Sequence, residues 1–361
     1  MGRTVRLAAA QPVVPLIDYH LARVEEALDR VDANLVALVD SVRRAGRAGC
    51  DAVVLTEDTL GLHRWLAAHE PAVPDLVSVA VERMLTRLGE AAAEQRLYLT
   101  CCSDALEADG GLYNTAFLLG RDGHEIGRYH KVNLPFSELG LRRRGKGFPV
   151  FRTPDLGGVG LLVCYDLVFP EPIQCLALGG ADVVFVPTMG AASMGSAELG
   201  RTAFRVRAAD SLVYLVVAYR SAGSMVISPL GEVLAQGVEG SELVWADVDP
   251  FGGRRGGNAF DWQEDLRVRL FRERVPTAYG RLVEPTPPAL TGLPSADTPE
   301  EMTRRANRVL TEGEDRFAAA EALERAGRVH EAVRAYGELR RDFPGSWIER
   351  VAGERLAALT A

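Results

Sequence analysis

Short runs of apolar residues alternate with longer amphipathic segments along most of the chain. The short runs are bounded by glycine, proline or charged residues, a pattern that predicts buried strands. They lie at residues 5–10, 51–57, 97–103, 113–119, 125–129, 150–152, 159–163, 181–186, 213–218, 225–228, 232–235 and 242–248. Apolar residues at helical spacing predict helices at residues 16–45, 76–95, 173–178 and 196–210.

This order of elements predicts a mixed α/β fold in which helices cover sheets. An Asp-Gly pair at residues 122–123 and a Pro-Leu-Gly turn at residues 229–231 predict hairpins between strands. No glycine-rich fingerprint follows the first strand, so the pattern does not fit a Rossmann dinucleotide-binding unit.

The composition changes after about residue 283. Residues 284–299 are rich in proline and predict an extended linker, and residues 300–361 are rich in alanine, arginine, glutamate and leucine and predict helices. We therefore expect a first domain at residues 1–283 and a helical extension at residues 300–361. Residues 318–344 resemble one tetratricopeptide repeat, with a turn at Gly327.

A single repeat cannot bury its own apolar face, so the extension must pack against something else. Two interpretations stay open. The extension completes a homodimer or shields the active-site side of the first domain, or it recruits a peptide or carrier protein as a partner.

The overall charge and the cysteine pattern narrow the functional classes. A net charge of -8 gives no general case for nucleic acid or an anionic membrane as partner. The short basic cluster at residues 142–146 predicts a solvated or subunit-contacting loop. No signal peptide or transmembrane run is evident, and the five irregularly spaced cysteines predict no disulfide framework and no metal site. We expect a reduced, cytoplasmic protein without a cofactor.

Three polar residues stand at the ends of predicted strands: Glu57, Lys131 and Cys164. A cysteine at the end of a buried strand is held rigidly, which suits a nucleophile, although a lone cysteine is often only a small core residue. A neighbouring carboxylate can take the thiol proton and later give it to a leaving amine. An ammonium group can stabilise the oxyanion that forms when sulfur attacks a carbonyl or nitrile carbon.

The remaining cysteines and histidine fit this chemistry less well. Cys101 and Cys102 lie within a predicted strand, and Cys175 lies on a predicted helix face, so all three are interpreted as structural. A cysteine protease interpretation would need His130 as base, and no separate signature supports it.

Three ordered motifs carry a family resemblance. They are residues 53–57, ending at Glu57; residues 129–134, around Lys131; and residues 160–171, with the order Gly-x-x-x-Cys-Tyr-Asp-x-x-Phe-Pro-Glu. Supporting matches occur at residues 9–11, 113–116, 229–232 and 274–279. Over residues 4–283 the sequence resembles the nitrilase superfamily of carbon–nitrogen hydrolases, whose triad is Glu-Lys-Cys.

The resemblance implies a four-layer α-β-β-α sandwich that pairs its helical surfaces in a dimer or larger homo-oligomer. It implies a covalent thioester on Cys164, with Glu57 as base and then acid. Lys131 would bind the oxyanion together with the backbone N–H of Tyr165. Glu138 occupies the place of a second glutamate that positions substrate or water in many members of the family.

Departures from the family pattern concern specificity. Val168 replaces a frequent arginine, and Tyr219 replaces a frequent asparagine. The loop that usually shapes the pocket begins at Thr188 and Met189, and residues 188–195 lack the aromatic residue of many relatives. We therefore expect hydrolysis of a small non-peptide amide or carbamoyl compound. Acyl transfer, nitrile hydrolysis and a catalytically idle scaffold stay open as alternatives.

Overall fold

The computed structural model describes residues 4–190, 196–220, 222–256, 264–293 and 297–360. Its first domain contains two six-stranded sheets. The first sheet has the order β12-β1-β2-β3-β4-β5. Its strands are β1 (Val5–Ala10), β2 (Ala52–Val54), β3 (Tyr98–Leu106), β4 (Leu112–Leu119), β5 (Glu125–His130) and β12 (Leu243–Val248).

The second sheet has the order β11-β10-β9-β8-β7-β6. Its strands are β6 (Val150–Thr153), β7 (Gly157–Leu161), β8 (Val183–Thr188), β9 (Tyr214–Tyr219), β10 (Met225–Ile227) and β11 (Val233–Gln236). Strands β7, β8 and β9 run parallel. Because the polar segments that follow β7, β8 and β9 leave the same edge of the sheet, this topology collects them in one place.

Helices cover the outer faces of both sheets. The helices of the first domain are α1 (Val24–Arg47), α2 (His63–Ala68), α3 (Val73–Gln95), α4 (Glu171–Leu178), α5 (Ala197–Ser211) and α6 (Leu266–Glu273). In β1, Leu7 and Ala9 face the core between the sheets, whereas Ala8 and Ala10 face α1 and α3. This alternation buries both faces of the strand and gives the four-layer arrangement that the sequence predicts.

A short ribbon completes the first domain, formed by β13 (Arg255–Gly256) and β14 (Glu264–Asp265). Within the described residues, no helix combines the length and the apolar character needed to cross a bilayer.

Two local predictions were wrong. The first helix starts at Val24 rather than near residue 16, because residues 12–23 cross the surface, where the Ile17 N–H donates to the Gly61 carbonyl and Leu21 accepts a bond from Trp65. Cys175 does not pack, since it lies on the exposed side of α4.

The C-terminal extension is helical, as predicted. It contains α7 (Pro299–Arg308), α8 (Glu314–Arg325), α9 (Val329–Asp342) and α10 (Trp347–Thr360), and a π-helical segment, Val309–Gly313, joins α7 to α8. These helices share a small core of their own around Phe317, Tyr336, Phe343 and Ile348.

Candidate active site

The candidate nucleophile, Cys164, lies at a tight turn after β7. Its φ of 44° is in the left-handed region, where a residue with a side chain is strained. A 3-10 turn, Cys164–Val168, begins at this residue. The turn holds the cysteine at the edge of the second sheet and leaves it partly exposed.

Asp166 fixes this turn to the loop that carries Lys131. Its carboxylate accepts the Val163 N–H at 3.0 Å, the Tyr129 hydroxyl at 2.8 Å and the Asn133 N–H at 2.9 Å. Asp166 is fully buried, and burial raises the pKa of its carboxyl group. The three donors offset that burial and couple the two sheets at the site.

Lys131 directly follows β5 and is buried between two carboxylates. Its Nζ lies 3.2 Å from Glu57 Oε1 and 3.1 Å from Glu138 Oε1. Burial opposes the positive charge, but the carboxylates of Glu138 and Glu57 keep the pKa of Lys131 well above its usual value. Burial likewise opposes the charge of Glu138, yet Lys131 holds the pKa of that carboxyl below its usual range. The ammonium group therefore stays charged at neutral pH.

Glu57 is held from several directions. Oε1 accepts the Asn114 amide at 2.9 Å in addition to Lys131, and Oε2 accepts the Met189 N–H at 3.1 Å. The Cys102 thiol donates to Asn114 Oδ1 at 3.2 Å and so orients that amide. These contacts fix the carboxylate in one position, as a general base requires.

The Glu57 carboxylate and the Thr188 hydroxyl lie close enough to the Cys164 thiol to act on its pKa. Burial raises the pKa of this thiol to about 12, and the negative charge of Glu57 acts in the same direction, whereas Lys131 opposes it. The thiol is therefore protonated at neutral pH. Attack on a substrate requires the proton to leave with the carboxylate as the new bond forms.

The predicted substrate-binding residues Thr188, Met189 and Tyr165 lie at the end of β8 and in the cysteine turn. Thr188 ends β8 and is buried, and Met189 follows it with its N–H on Glu57. Tyr165 follows the cysteine and packs edge-on against Phe169, with ring centroids 5.6 Å apart. Residues 191–195 of the predicted pocket loop lie outside the described residues.

Tyr219 also belongs to this environment. It ends β9 directly opposite Thr188 in the parallel register, so both side chains leave the sheet on the same face. It is buried, and no described group hydrogen-bonds with its hydroxyl. An unpaired buried hydroxyl costs about 1–3 kcal/mol, so this group is available to a substrate atom.

Sequence reasoning missed three contributors to the site. Asn114 and Asp166 lie inside family motifs, but their hydrogen bonds to Glu57 and to the cysteine turn become evident only in three dimensions. Arg142 was expected in a solvated loop. Its Nε and one terminal nitrogen instead each lie 2.6 Å from the carboxylate of Asp104, and both side chains are buried. A basic run in a glycine-rich loop gave no signal for this pair.

The chain is similar to known proteins of one enzyme family. A family model described as carbon–nitrogen hydrolase matches residues 6–253. Over 243 residues the chain is 28% identical to a deaminated glutathione amidase of Synechocystis, covering 60% of this chain and 86% of that protein. Over 182 residues it is 33% identical to the omega-amidase NIT2 of Homo sapiens, covering 45% of this chain and 65% of that protein.

The fold has solved counterparts. An amidase from Nesterenkonia superposes with a TM-score of 0.58 at 24% identity, covering 75% of this chain and 97% of that chain. The family, the layered fold and the enzyme class that the sequence predicts are thereby confirmed. Since the family model spans more than half of its length, the chain belongs to the carbon–nitrogen hydrolases of the nitrilase superfamily and is an amidase-like enzyme.

Proposed function

We propose that the protein hydrolyses a small amide through a thioester on Cys164, with Glu57 as proton carrier and Lys131 as oxyanion-stabilising cation. The observation that carries this proposal is the arrangement around Lys131. A fully buried ammonium group lies between two carboxylates, and one of them, Glu57, also acts electrostatically on the Cys164 thiol. Such a buried charge is costly unless it is paired, and this pairing places it beside the nucleophile.

The first half of the reaction releases the amine. Glu57 takes the Sγ proton while the sulfur bonds to the amide carbon, and the carbonyl electrons move to oxygen. Lys131 and the Tyr165 N–H stabilise that oxyanion. As the oxyanion collapses, the C–N bond breaks and the protonated Glu57 gives its proton to the leaving nitrogen. Ammonia or an amine departs, and the acyl group stays on Cys164.

Water completes the cycle. Glu57 takes a proton from the water molecule while the water oxygen attacks the thioester carbon. The C–S bond then breaks as Glu57 returns that proton to Sγ, which releases the carboxylic acid and restores the thiol and the carboxylate. Glu138 keeps Lys131 charged and faces the incoming substrate or water. Thr188, Met189 and Tyr219 border the space next to the thiol.

An amide is the substrate class that the names of the relatives favour, since two of them are a deaminated glutathione amidase and an omega-amidase. Attack by the Cys164 sulfur would also serve for the hydrolysis of carbamoyl compounds and nitriles. It would serve equally for acyl transfer to an acceptor other than water. We therefore propose a test with amides, ureido acids and nitriles, in which released ammonia is measured for the wild type and for Cys164→Ala. Ammonia from amides alone supports the proposal, and equal release by both proteins contradicts it.

We also propose that two copies of the chain pair through the helices that cover the second sheet. Apolar side chains lie exposed there on α4, α5 and α6, namely Leu178, Leu199, Val206 and Leu270. A cavity of about 380 Å³ beside them is bordered by Leu270, Phe271 and Tyr279. Light scattering should give about twice the 39.1 kDa chain mass, and Leu270→Glu should give single chains. A monomeric wild type contradicts this pairing.

The cytoplasmic location and the tetratricopeptide-like character of the extension stay predictions from sequence.

A further inference from the structure

A second, larger cavity of about 920 Å³ lies between the first domain and the C-terminal extension. On the first domain it is bordered by His63, Ser137, Glu138 and Arg142. On the extension it is bordered by residues 302 and 305–310, from α7 and the π-helical segment, and by residues 341–347, between α9 and α10. Glu138 thus faces this cavity and also bonds with Lys131.

The extension is fixed to the loop that carries Glu138. The Gly140 N–H donates to Thr303 Oγ1 at 3.0 Å, and the Thr303 hydroxyl lies 3.5 Å from the Phe136 carbonyl. A Cβ at residue 140 would lie 2.8 Å from Thr303 Oγ1, so only glycine permits this approach. These contacts lie two residues before and two residues after Glu138, and α7 therefore helps to hold that carboxylate in place.

A second anchor holds the extension from the other side. Arg64 donates to the Leu310 carbonyl at 2.7 Å and to the Asp315 carboxylate at 2.6 Å. The Tyr19 hydroxyl donates to the same carboxylate at 2.7 Å. The Arg64 side chain is only 18% exposed, so these charge-assisted bonds are partly shielded from water. Specific hydrogen bonds therefore hold the extension against the first domain of its own chain.

The lining of the cavity combines an apolar surface with cations. The apolar part comes from Met302, Val309, Leu310, Phe343 and Trp347. The charged part comes from Arg142, Arg305, Arg308, Arg341, Glu138 and Asp342.

Both carboxylates of this lining are neutralised, Glu138 by Lys131 and Asp342 by Arg316. Arg341 is exposed, and it forms no ion pair with any carboxylate in the described part of the chain. It leaves an unbalanced positive charge on the part of the lining that the extension contributes.

We propose that the C-terminal extension forms the outer wall of the substrate-binding cavity and that Arg341 binds an anionic group at the end of the substrate remote from the amide. The inference rests on the proposed function, because it needs an amide at Cys164. The substrate it describes has an amide at one end, an apolar middle that packs on α7 and α10, and a carboxylate at the other end. The extension then acts on its own chain rather than as a recruitment module.

The test compares charged and neutral ligands of equal length. Mono-amides of adipic, suberic and sebacic acids are matched with linear alkanamides, and binding to Cys164→Ala protein is measured by calorimetry. Adding Arg341→Glu should weaken binding of the longer mono-amides about tenfold, as expected for one charge-assisted hydrogen bond. Binding of the alkanamides should not change. Arg334→Glu is the matched control, because Arg334 is exposed on the same helix and outside the cavity.

The outcomes separate this inference from the proposed function. The inference is overturned if Arg341→Glu and Arg334→Glu change mono-amide binding equally. It is also overturned if Arg341→Glu weakens binding of both ligand series equally. Hydrolysis of alkanamides by the wild type, with no preference for any mono-amide, overturns it and leaves the proposed function intact. A wild type that releases no more ammonia from either series than Cys164→Ala overturns the proposed function itself.

Discussion

Replacing Glu57 by glutamine removes the negative charge beside the Cys164 thiol and keeps a side chain of the same size. The reactivity of the thiol and the rate of amide turnover should change in opposite directions. The pKa of the thiol, raised to about 12 by burial and by Glu57, should fall because one of its causes is removed. Amide turnover should fall as well, because glutamine can neither take the thiol proton nor return it to the leaving nitrogen.

The structure sets the scale of both effects. With a pKa of about 12, only about 3 in 100,000 thiols are ionised at pH 7.5. Each unit by which the pKa falls raises that population about tenfold. Two unit charges about 4 Å apart, at the effective dielectric of a protein, interact by about 4 kcal/mol, which sets an upper limit of about three units. We expect chemical modification of the thiol to accelerate about 10- to 1,000-fold and amide turnover to drop about 100- to 10,000-fold.

The assay uses methyl methanethiosulfonate, a small neutral reagent, in a Cys175→Ser background that removes the exposed cysteine. In the parent, the modification rate of Cys164 should rise steadily with pH and reach no plateau below pH 10, since the thiolate form grows only as pH approaches about 12. Glu57→Gln should shift this rise to lower pH. Slower modification in Glu57→Gln than in the parent would refute the reasoning, because it would mean that Glu57 maintains a resting thiolate.

Three further predictions concern the support of the site. Lys131→Met should destabilise the protein by about 3–5 kcal/mol in chemical unfolding, because it leaves two buried carboxylates unpaired. Adding Glu138→Gln should restore part of this stability but no activity, and an unaltered unfolding free energy in Lys131→Met would contradict the pairing. Asp166→Asn should lower the free energy of unfolding by about 1–3 kcal/mol and should lower kcat, because one carboxylate oxygen that accepts N–H or O–H donors becomes an amide donor. An unchanged kcat would contradict the role of Asp166 in holding the cysteine turn. Gly140→Ala should lower the free energy of unfolding by about 1–3 kcal/mol because its methyl group clashes with α7. Gly147→Ala has open space around it and should leave the free energy of unfolding almost unchanged. Equal thermal midpoints for these two variants would contradict the close contact.

The layered fold is largely predictable because its strands alternate or run continuously apolar, and each of the twelve strands in the two sheets lies within a few residues of its predicted position. The short ribbon of β13 and β14 has no such pattern and was not predicted. Residues 12–23 are another exception. The apolar residues at 16–23 continue the helical spacing, yet this segment makes its backbone hydrogen bonds with Gly61 and Trp65 instead. Sequence spacing carries no information on such a tertiary contact.

The site is predictable where a motif coincides with the end of a strand, as it does for Glu57, Lys131 and Cys164. The residues that hold them are less visible. Asn114 acts through a hydrogen bond across two strands, and Arg142 acts through a buried pair with Asp104, 38 residues earlier in the chain. The position of the helical extension was undetermined for the same reason. Thr303 and Asp315 meet the first domain through long-range hydrogen bonds that no local sequence pattern predicts.

The central claim is that an acyl group is carried on Cys164. Its most direct test is the intact mass of the enzyme, quenched in acid during turnover of an amide and followed by peptide mapping. The account predicts an added mass equal to the acyl part of the substrate, located on the peptide that contains Cys164 and absent from Cys164→Ala. Steady amide turnover without any adduct, or an adduct that persists in Cys164→Ala, would contradict it.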